Sequence, residues 1–384
     1  VKVEVHAGEH NRSNCPVSFD LNWPYTDVKG VDLRDAKTRK RVPCQLSKAK
    51  GGVRLTLLVD GLKAGVKRAY AAKPLAEDDQ KFGVSLVEPD GVDKVDVHIG
   101  NELFTSYHYG TKWVRPFLYP MIGPGDTQVT RSWPVTKNTK KEYTDHKHHK
   151  SLWVSYGECG RGKVDNWSEE PGHGYQLHQK FVTRQSGPVF GRIVAKNDWT
   201  TNAKRKQFEE TRDMCFYALP GGVRLLDVKV SFKMTQSPIT FYDTKEGGLL
   251  SVRVASSMDV RRGGKIENAF GGVNEDETWG KNSPWCDYSG TVDGKEVGIA
   301  VFDHEYNPRY PTGWHVRNYG LMTANCFAWK YYRPDARVKG DMTFKKGSTT
   351  SWQYRVYIHK GDATKGKVRD RYLDFAAPPK VTVK

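Results

Sequence analysis

Apolar and polar residues alternate with period two wherever this chain is regular. Val95, Val97 and Ile99 share one side of an extended segment, and Asp96 and His98 share the other. Val228, Val230 and Phe232 alternate with Lys229, Ser231 and Lys233, and Val297, Ile299 and Val301 repeat the pattern after the turn signal Asp293-Gly294. Such segments predict half-buried antiparallel strands. A helix is predicted only near Gly366 to Phe375, where Ala376-Ala377-Pro378-Pro379 ends it.

Many short strands punctuated by 37 Gly and 19 Pro make the predicted class all-β, a large antiparallel β-sandwich. A length of 384 residues exceeds one ordinary domain, so a second, smaller unit is expected. Residues 1–85 carry short strands and the basic stretch Arg34 to Lys50, which predicts a small accessory β-sandwich. The acidic segment Glu77 to Gln80 marks the boundary. From Lys94 the composition changes: 10 of the 11 Trp and all but two of the 12 His follow it, so the large domain, 94–384, is expected to hold any chemistry.

The longest apolar runs, such as Leu55 to Val59 interrupted by Thr56, fall far short of the roughly 18 to 20 residues of a membrane-spanning helix. Val1 stands where an initiator Met would, and strand-like Val3 and Val5 follow. That opening is expected of a protein whose leader has been removed, so the predicted setting is periplasmic, outer-surface or extracellular, although a chain begun at an arbitrary residue would open the same way. Six cysteines lie far apart without a C-x-x-C pair, against structural zinc or a thioredoxin-like motif; one Cys15 to Cys44 disulfide and buried free thiols are the open alternatives. The charge of +17, from 61 Lys and Arg against 44 Asp and Glu, favours an anionic partner. The cations are scattered along the chain and match no nucleic-acid motif, so a sulfated or uronic glycan, or merely a basic surface, fits better than nucleic acid.

Candidate chemistry collects in four places. Asp145, His146, His148 and His149 fall within five residues; on an extended chain His146 and His148 would share one side and His149 the other, and His148 or His149 would serve as acid or base. Trp167 precedes Gly172-His173-Gly174, where backbone can approach a ligand, and His178 follows in a strand-like stretch. Asp243, Lys245 and Glu246 put two carboxylates and a lysine at a strand end, the pairing glycoside hydrolysis uses, unless Lys245 neutralises both. Trp285, Asp287 and the alternating His315, Arg317 and Tyr319 offer flat rings and polar groups suited to sugar. No cofactor is predicted. A metal held by some of His146, His148, His149, His173 and His178 is the open alternative, but their spacing matches no known signature. P-loop, dinucleotide and G-x-S-x-G patterns are absent.

Together Asp145 with His148-His149 and Leu152-Trp153, Gly187 to Trp199, Asp243 to Gly247, Trp279-Gly280-Lys281, Trp285 to Gly290, Asn307-Pro308 and Trp314 to Arg317 resemble a bacterial family of unknown function labelled PmoA-like, after a methane oxygenase subunit. That subunit is a bundle of membrane helices and this chain has none, so no oxygenase activity is inferred. Where the resemblance calls for Arg-Gly before Leu-Trp, this chain has Lys150-Ser151. The resemblance implies a large sandwich similar to galactose mutarotase and to catalytic domains of polysaccharide lyases. The expectation is an exported carbohydrate-active enzyme cleaving a glycosidic bond in an oligo- or polysaccharide. Glu246 and Asp243 would be acid and base, with His149, His173 and His315 around the ring; His148, Trp153, Trp167, His178, Lys245, Trp285, Asp287, Arg317 and Tyr319 would bind substrate. Hydrolysis is slightly preferred. Its rivals are a lyase with a His or Tyr base and an Arg or metal neutraliser, a glycan-binding protein, and a sugar epimerase.

Overall fold

The computed structural model describes residues 1–137, 139, 141–333, 335 and 337–384. Two eight-stranded antiparallel sheets face each other. The first runs, in spatial order, Gly313–Arg317, Leu321–Asn325, Gly247–Arg253, Leu152–Tyr156, Phe117–Leu118, Glu102–His108, Lys94–Ile99 and Val84–Val87. The second runs Tyr175–Gln185, Phe190–Thr200, Lys206–Tyr217, Arg224–Lys233, Thr349–Lys360, Lys295–Asp303, Trp285–Val292 and Lys265–Asn268. Their facing sides bury the alternating apolar residues read from the sequence, with Val95 and Val97 from one sheet against Val228, Val230, Phe232, Ile299 and Val301 from the other. Period-two patterning thus places one side of each strand in a single core.

The predicted helix is present as Val368–Ala376 and lies on the outer side of the second sheet, with Val368 and Tyr372 in one apolar cluster with Trp285, Phe302 and Tyr357. Lys2–His6, Gly30–Asp35, Lys67–Leu75 and the last strand, Lys380–Val383, form a four-stranded sheet. It packs on a three-stranded sheet of Cys15–Leu21, Gly52–Val59 and Cys44–Ala49 around a separate apolar cluster. The chain's two ends therefore meet in this small sandwich, where Val5 pairs with Val381. Buried Arg12 ties it to the helix, donating to Asp374 Oδ1 at 3.1 Å and to the carbonyl of Ala377 at 2.7 Å.

Cys15 and Cys44 are free thiols. The strand Gly52–Val59 runs between theirs, Cys15 opposite Val59 and Cys44 opposite Leu57, so they sit two strand spacings apart across the sheet, about 9 to 10 Å, and two residues apart along it. A disulfide cannot span that distance. Burial pushes both thiols up to about 12. No described helix is long and apolar enough to cross a membrane.

Candidate functional site on the outer side of the first sheet

Alternation in the first sheet sends Trp314, Val316, Met322, Ala324, Leu250, Val252, Leu152 and Val154 into the core. The residues between them turn to the opposite side, and register aligns them. Phe117 pairs with Trp153, Trp153 with Ser251, Ser251 with Thr323 and Thr323 with His315, a single row across five strands. Arg253 and Arg317 flank Leu321 in the adjoining row. The face away from the core is thus polar and aromatic, and two loops build upon it.

The first loop carries the histidines. Instead of extending, it turns back: the His149 N–H donates to the His146 carbonyl at 2.9 Å, and His146 adopts φ +46°. The turn sets aside the expected alternation and brings His146 and His149 face to face, ring centroids 4.7 Å apart and 4° from parallel. His149 stacks in turn on Trp153 at 5.3 Å, and His146 on Tyr319 at 5.1 Å. Trp153, His149, His146 and Tyr319 form one continuous stack, with Trp167 packed edge-on against His148 and His149 and tilted against Trp153.

Beneath the stack, the Asp145 Oδ1 accepts from Arg131 at 2.5 Å and Arg253 at 2.8 Å, both guanidiniums being buried. Its Oδ2 lies 3.1 Å from His146 Nδ1. Burial alone would raise the Asp145 carboxyl, but the His146 hydrogen bond and the Arg253 and Arg131 charges hold it well below the usual carboxylate range. An ionised carboxylate only accepts, so the His146 Nδ1 carries a proton, and in the neutral form of the ring the lone pair is on Nε2. His149 takes the opposite tautomer. Arg253 sits 3.1 Å from its Nδ1, a guanidinium only donates, and the proton must be on Nε2, which is buried and has no partner among the described residues. Burial, then His148 and Arg253, push His149 well below the ordinary imidazole value; burial and Arg115 push His148 down to about 3.

Arginines also surround Tyr319: Arg253 lies 4.8 Å from the ring centroid, and Arg261 and Arg317 each lie 5.9 Å away. Burial raises the Tyr319 phenol against the pull of Arg253 and Arg317. Arg317 is held by Glu275 at 2.6 Å, whereas exposed Arg261 has no carboxylate partner among the described residues. Lys245 and Glu246 pair with each other at the rim. His315 is buried between this pair and Trp279, and burial, with Arg317 and Lys245, pushes it down to about 3.

Several expected site residues lie elsewhere. Asp243 is a structural clamp: its buried Oδ2 accepts the backbone N–H groups of Lys330 at 3.0 Å and Gly340 at 2.6 Å, so it does not pair with exposed Glu246 as acid and base. Trp285 and Asp287 belong to the second sheet. Trp285 is covered by the helix, and Asp287 is fully buried against His359 Nε2 at 2.7 Å, leaving no face for substrate. His178 packs between Tyr109 and Phe181, and His173 bonds the Gly174 carbonyl beside Tyr175; neither contacts the histidine stack. Trp153 and Trp167 are within the stack but buried, so they support it from below. No group of three or more metal-ligating side chains occurs among the described residues.

Sequence reasoning named His146 only among possible metal ligands and, reading the chain as extended, set it apart from His149. Glycine-like φ at His146 was not legible. Lys150 and Ser151 do have visible roles: buried Lys150 pairs with Glu169, and Ser151 holds φ +57°, a conformation in which glycine is unstrained.

The fold and this face define a two-sheet antiparallel β protein with one elaborated sheet surface. Residues 94–372 match a family of unknown function, DUF6807, and the chain belongs to it. That description contains no oxygenase label. No curated protein matches the sequence. Among solved structures, the chain is similar to the Slr1438 protein of Synechocystis sp. PCC 6803, with 10% identity, TM-score 0.31, and 73% of this chain and 96% of that one covered. It is also similar to a galactose mutarotase related enzyme from Lactobacillus acidophilus, at 9% identity, TM-score 0.30 and coverage of 72% and 97%. A GalM/aldose epimerase homologue from C. elegans matches at 7% identity, TM-score 0.31 and coverage of 73% and 100%. Likeness at this level carries no argument about activity.

Proposed function

We propose that this chain is a carbohydrate-active enzyme that cleaves an anionic, uronic-acid-containing glycan by elimination, with His146 as the base. The observation that carries the reading is the Asp145–His146 pair, whose geometry leaves the His146 Nε2 lone pair free beside Tyr319 in a half-exposed position. An imidazole oriented by a carboxylate is suited to take a proton. Around it stand four guanidiniums, from Arg131, Arg253, Arg261 and Arg317, against three carboxylates, from Asp145, Glu275 and the buried Asp259, whose carboxyl burial raises against the pull of Arg262 and Arg261. That excess suits an acidic substrate.

In the proposed step the His146 Nε2 takes the proton from C5 of the uronate, and its electron pair forms the C4–C5 double bond. The C4–O bond breaks, and the departing oxygen receives its proton from the Tyr319 hydroxyl. Arg261 and Arg317 neutralise the substrate carboxylate, which lowers the barrier to removing the adjacent proton. Two-carboxylate hydrolysis, the mechanism preferred from sequence, has less support because Asp243 is committed to backbone N–H groups. An exported protein meeting polymeric glycan outside the cytoplasm is the setting that suits this chemistry.

The test is incubation with polyuronates, sulfated and unsulfated, following new reducing ends and the ultraviolet absorbance of unsaturated uronides. Both signals should rise, and His146→Gln should abolish both. Reducing ends without absorbance would establish hydrolysis and overturn the proposal. Silence in both channels on every polyuronate would leave a binding protein or an epimerase.

A further inference from the structure

Along the edge strand Gly313–Arg317, the site continues away from the arginines into a region of different character. Three polar atoms of neighbouring residues there are buried without a hydrogen-bond partner among the described residues: Trp279 Nε1, His315 Nδ1 and Tyr332 Oη. The rings lie together, Trp279 to His315 at 6.3 Å and Trp279 to Tyr332 at 5.3 Å. Tyr332 is seated on glycines: a Cβ at Gly313 would come within 2.7 Å of its ring, and one at Gly280 within 2.8 Å. A buried donor or acceptor without a partner is destabilising. Three in one place mark groups shaped for something that supplies the missing partners.

We infer that Trp279, His315 and Tyr332 form a second subsite that binds the hydroxyls of an uncharged sugar ring next to the uronate, so that the enzyme recognises at least two linked rings. This deepens, and rests on, the anionic-glycan reading above. His315 is held neutral by its burial and by Arg317 and Lys245, so it meets a hydroxyl as a neutral group, both accepting and donating. Trp279 contributes an N–H donor and an aromatic surface for the apolar side of the ring, and Tyr332 a hydroxyl. Lys245 and Glu246 neutralise each other at the rim, so this end carries no net charge to attract a second acidic group. From His315 to Arg317 the strand runs about 7 Å, roughly the step from one sugar ring to the next, so the subsite adjoins the arginine end.

The experiment compares binding of a methyl uronide with binding of a disaccharide joining that uronate to a neutral hexose, by calorimetry on His146→Gln protein to prevent turnover. The same is then done with Trp279→Phe and Tyr332→Phe added singly. The disaccharide should bind about 10-fold more tightly than the uronide, and each Phe substitution should remove about 3- to 10-fold of that gain while leaving uronide affinity unchanged. Saturation transfer from the protein bearing only His146→Gln to the neutral ring protons should be strong, a readout that needs no Phe variant to fold. Equal affinity for the two ligands, or a neutral ring without transfer, overturns the subsite while leaving the uronate reading standing. If neither ligand binds, the uronate reading itself fails and the subsite with it.

Discussion

Asp145→Asn and Asp145→Ala separate what this carboxylate does for the fold from what it does for His146. Removing one partner of a fully buried ion pair costs about 3–5 kcal/mol. Two features of the site lower that figure. The Asp145 side chain is 40% exposed, so water can occupy the vacated place, whereas Arg131 and Arg253 are 0% and 1% exposed. Both guanidiniums also keep other acceptors: Arg131 the carbonyls of Tyr143, His146 and His149, and Arg253 the His149 Nδ1. Asp145→Ala should therefore lose about 2–3 kcal/mol in urea unfolding followed by tryptophan fluorescence. Asparagine retains an Oδ1 for both arginines and forfeits the charge assistance, about half the strength of such bonds, so Asp145→Asn should lose about 1 kcal/mol. In turnover the milder variant should still be severely impaired. The new amide nitrogen donates, so it can meet His146 Nδ1 only as a lone pair; the ring proton moves to Nε2 and the base is gone. A fall of about 10³- to 10⁴-fold in unsaturated-uronide release is expected, the scale found when a carboxylate orienting a catalytic histidine becomes an amide. Activity within threefold of the parent in Asp145→Asn would refute the dyad. A loss below about 0.5 kcal/mol in Asp145→Ala would refute the ion-pair argument.

Other substitutions probe the remaining assignments. His315, pushed down to about 3 when folded, would titrate near 6.5 in the unfolded chain, so its neutral burial contributes fully above pH 6.5 and that contribution is lost as pH falls toward 3. His315→Gln should flatten the dependence of stability on pH between 4 and 6 by up to about 1.4 kcal/mol per pH unit, and an unchanged slope would show that the ring is not held neutral. Asp243→Ala should cost about 2–3 kcal/mol in thermal unfolding because two backbone N–H groups lose their acceptor, while Glu246→Gln, at an exposed rim position, should stay within about 0.5 kcal/mol; the reverse order would end the clamp assignment. Ser151 adopts φ +57° and its hydroxyl bonds Thr130 Oγ1 at 2.8 Å. Ser151→Ala keeps the strain and removes the bond, for a loss of about 1–2 kcal/mol, and Ser151→Gly, which relieves the strain, should be milder by chemical denaturation.

The strands and the C-terminal helix were legible because both depend on local repetition. Val228, Val230 and Phe232 bury one side of a strand whatever the rest of the chain does, and the helix ends where Pro378 and Pro379 forbid its continuation. What a period of two cannot say is which of two sheets a strand enters, or which side of that sheet faces the site. Trp285 and His315 look alike in sequence, each in a strand rich in aromatic and polar residues. One is pressed under the helix on the second sheet, and the other lies in the polar row of the first. Pairings over large sequence separations, such as Trp153 with Ser251 and Ser251 with Thr323, make that difference, and nothing local encodes them.

The histidine segment shows the same limit at shorter range. Its composition drew attention to residues 145–150, yet reading it as extended placed His146 and His149 on opposite sides, where the structure stacks them. One residue with positive φ, at His146, turns the loop so that two imidazoles expected on opposite sides become parallel neighbours. Histidine has no intrinsic preference strong enough to announce that conformation, which is set by what the turn gains elsewhere. Arg131 reaches the carbonyls of Tyr143, His146 and His149, and it converges on Asp145 with Arg253, which comes from a strand 108 residues away in sequence. The loop is folded around two buried cations, and the same contacts that fix its shape orient the His146 proton. A substitution that weakens the arginine cage should therefore impair the base before it unfolds the protein, since orientation is lost with smaller displacements than packing is.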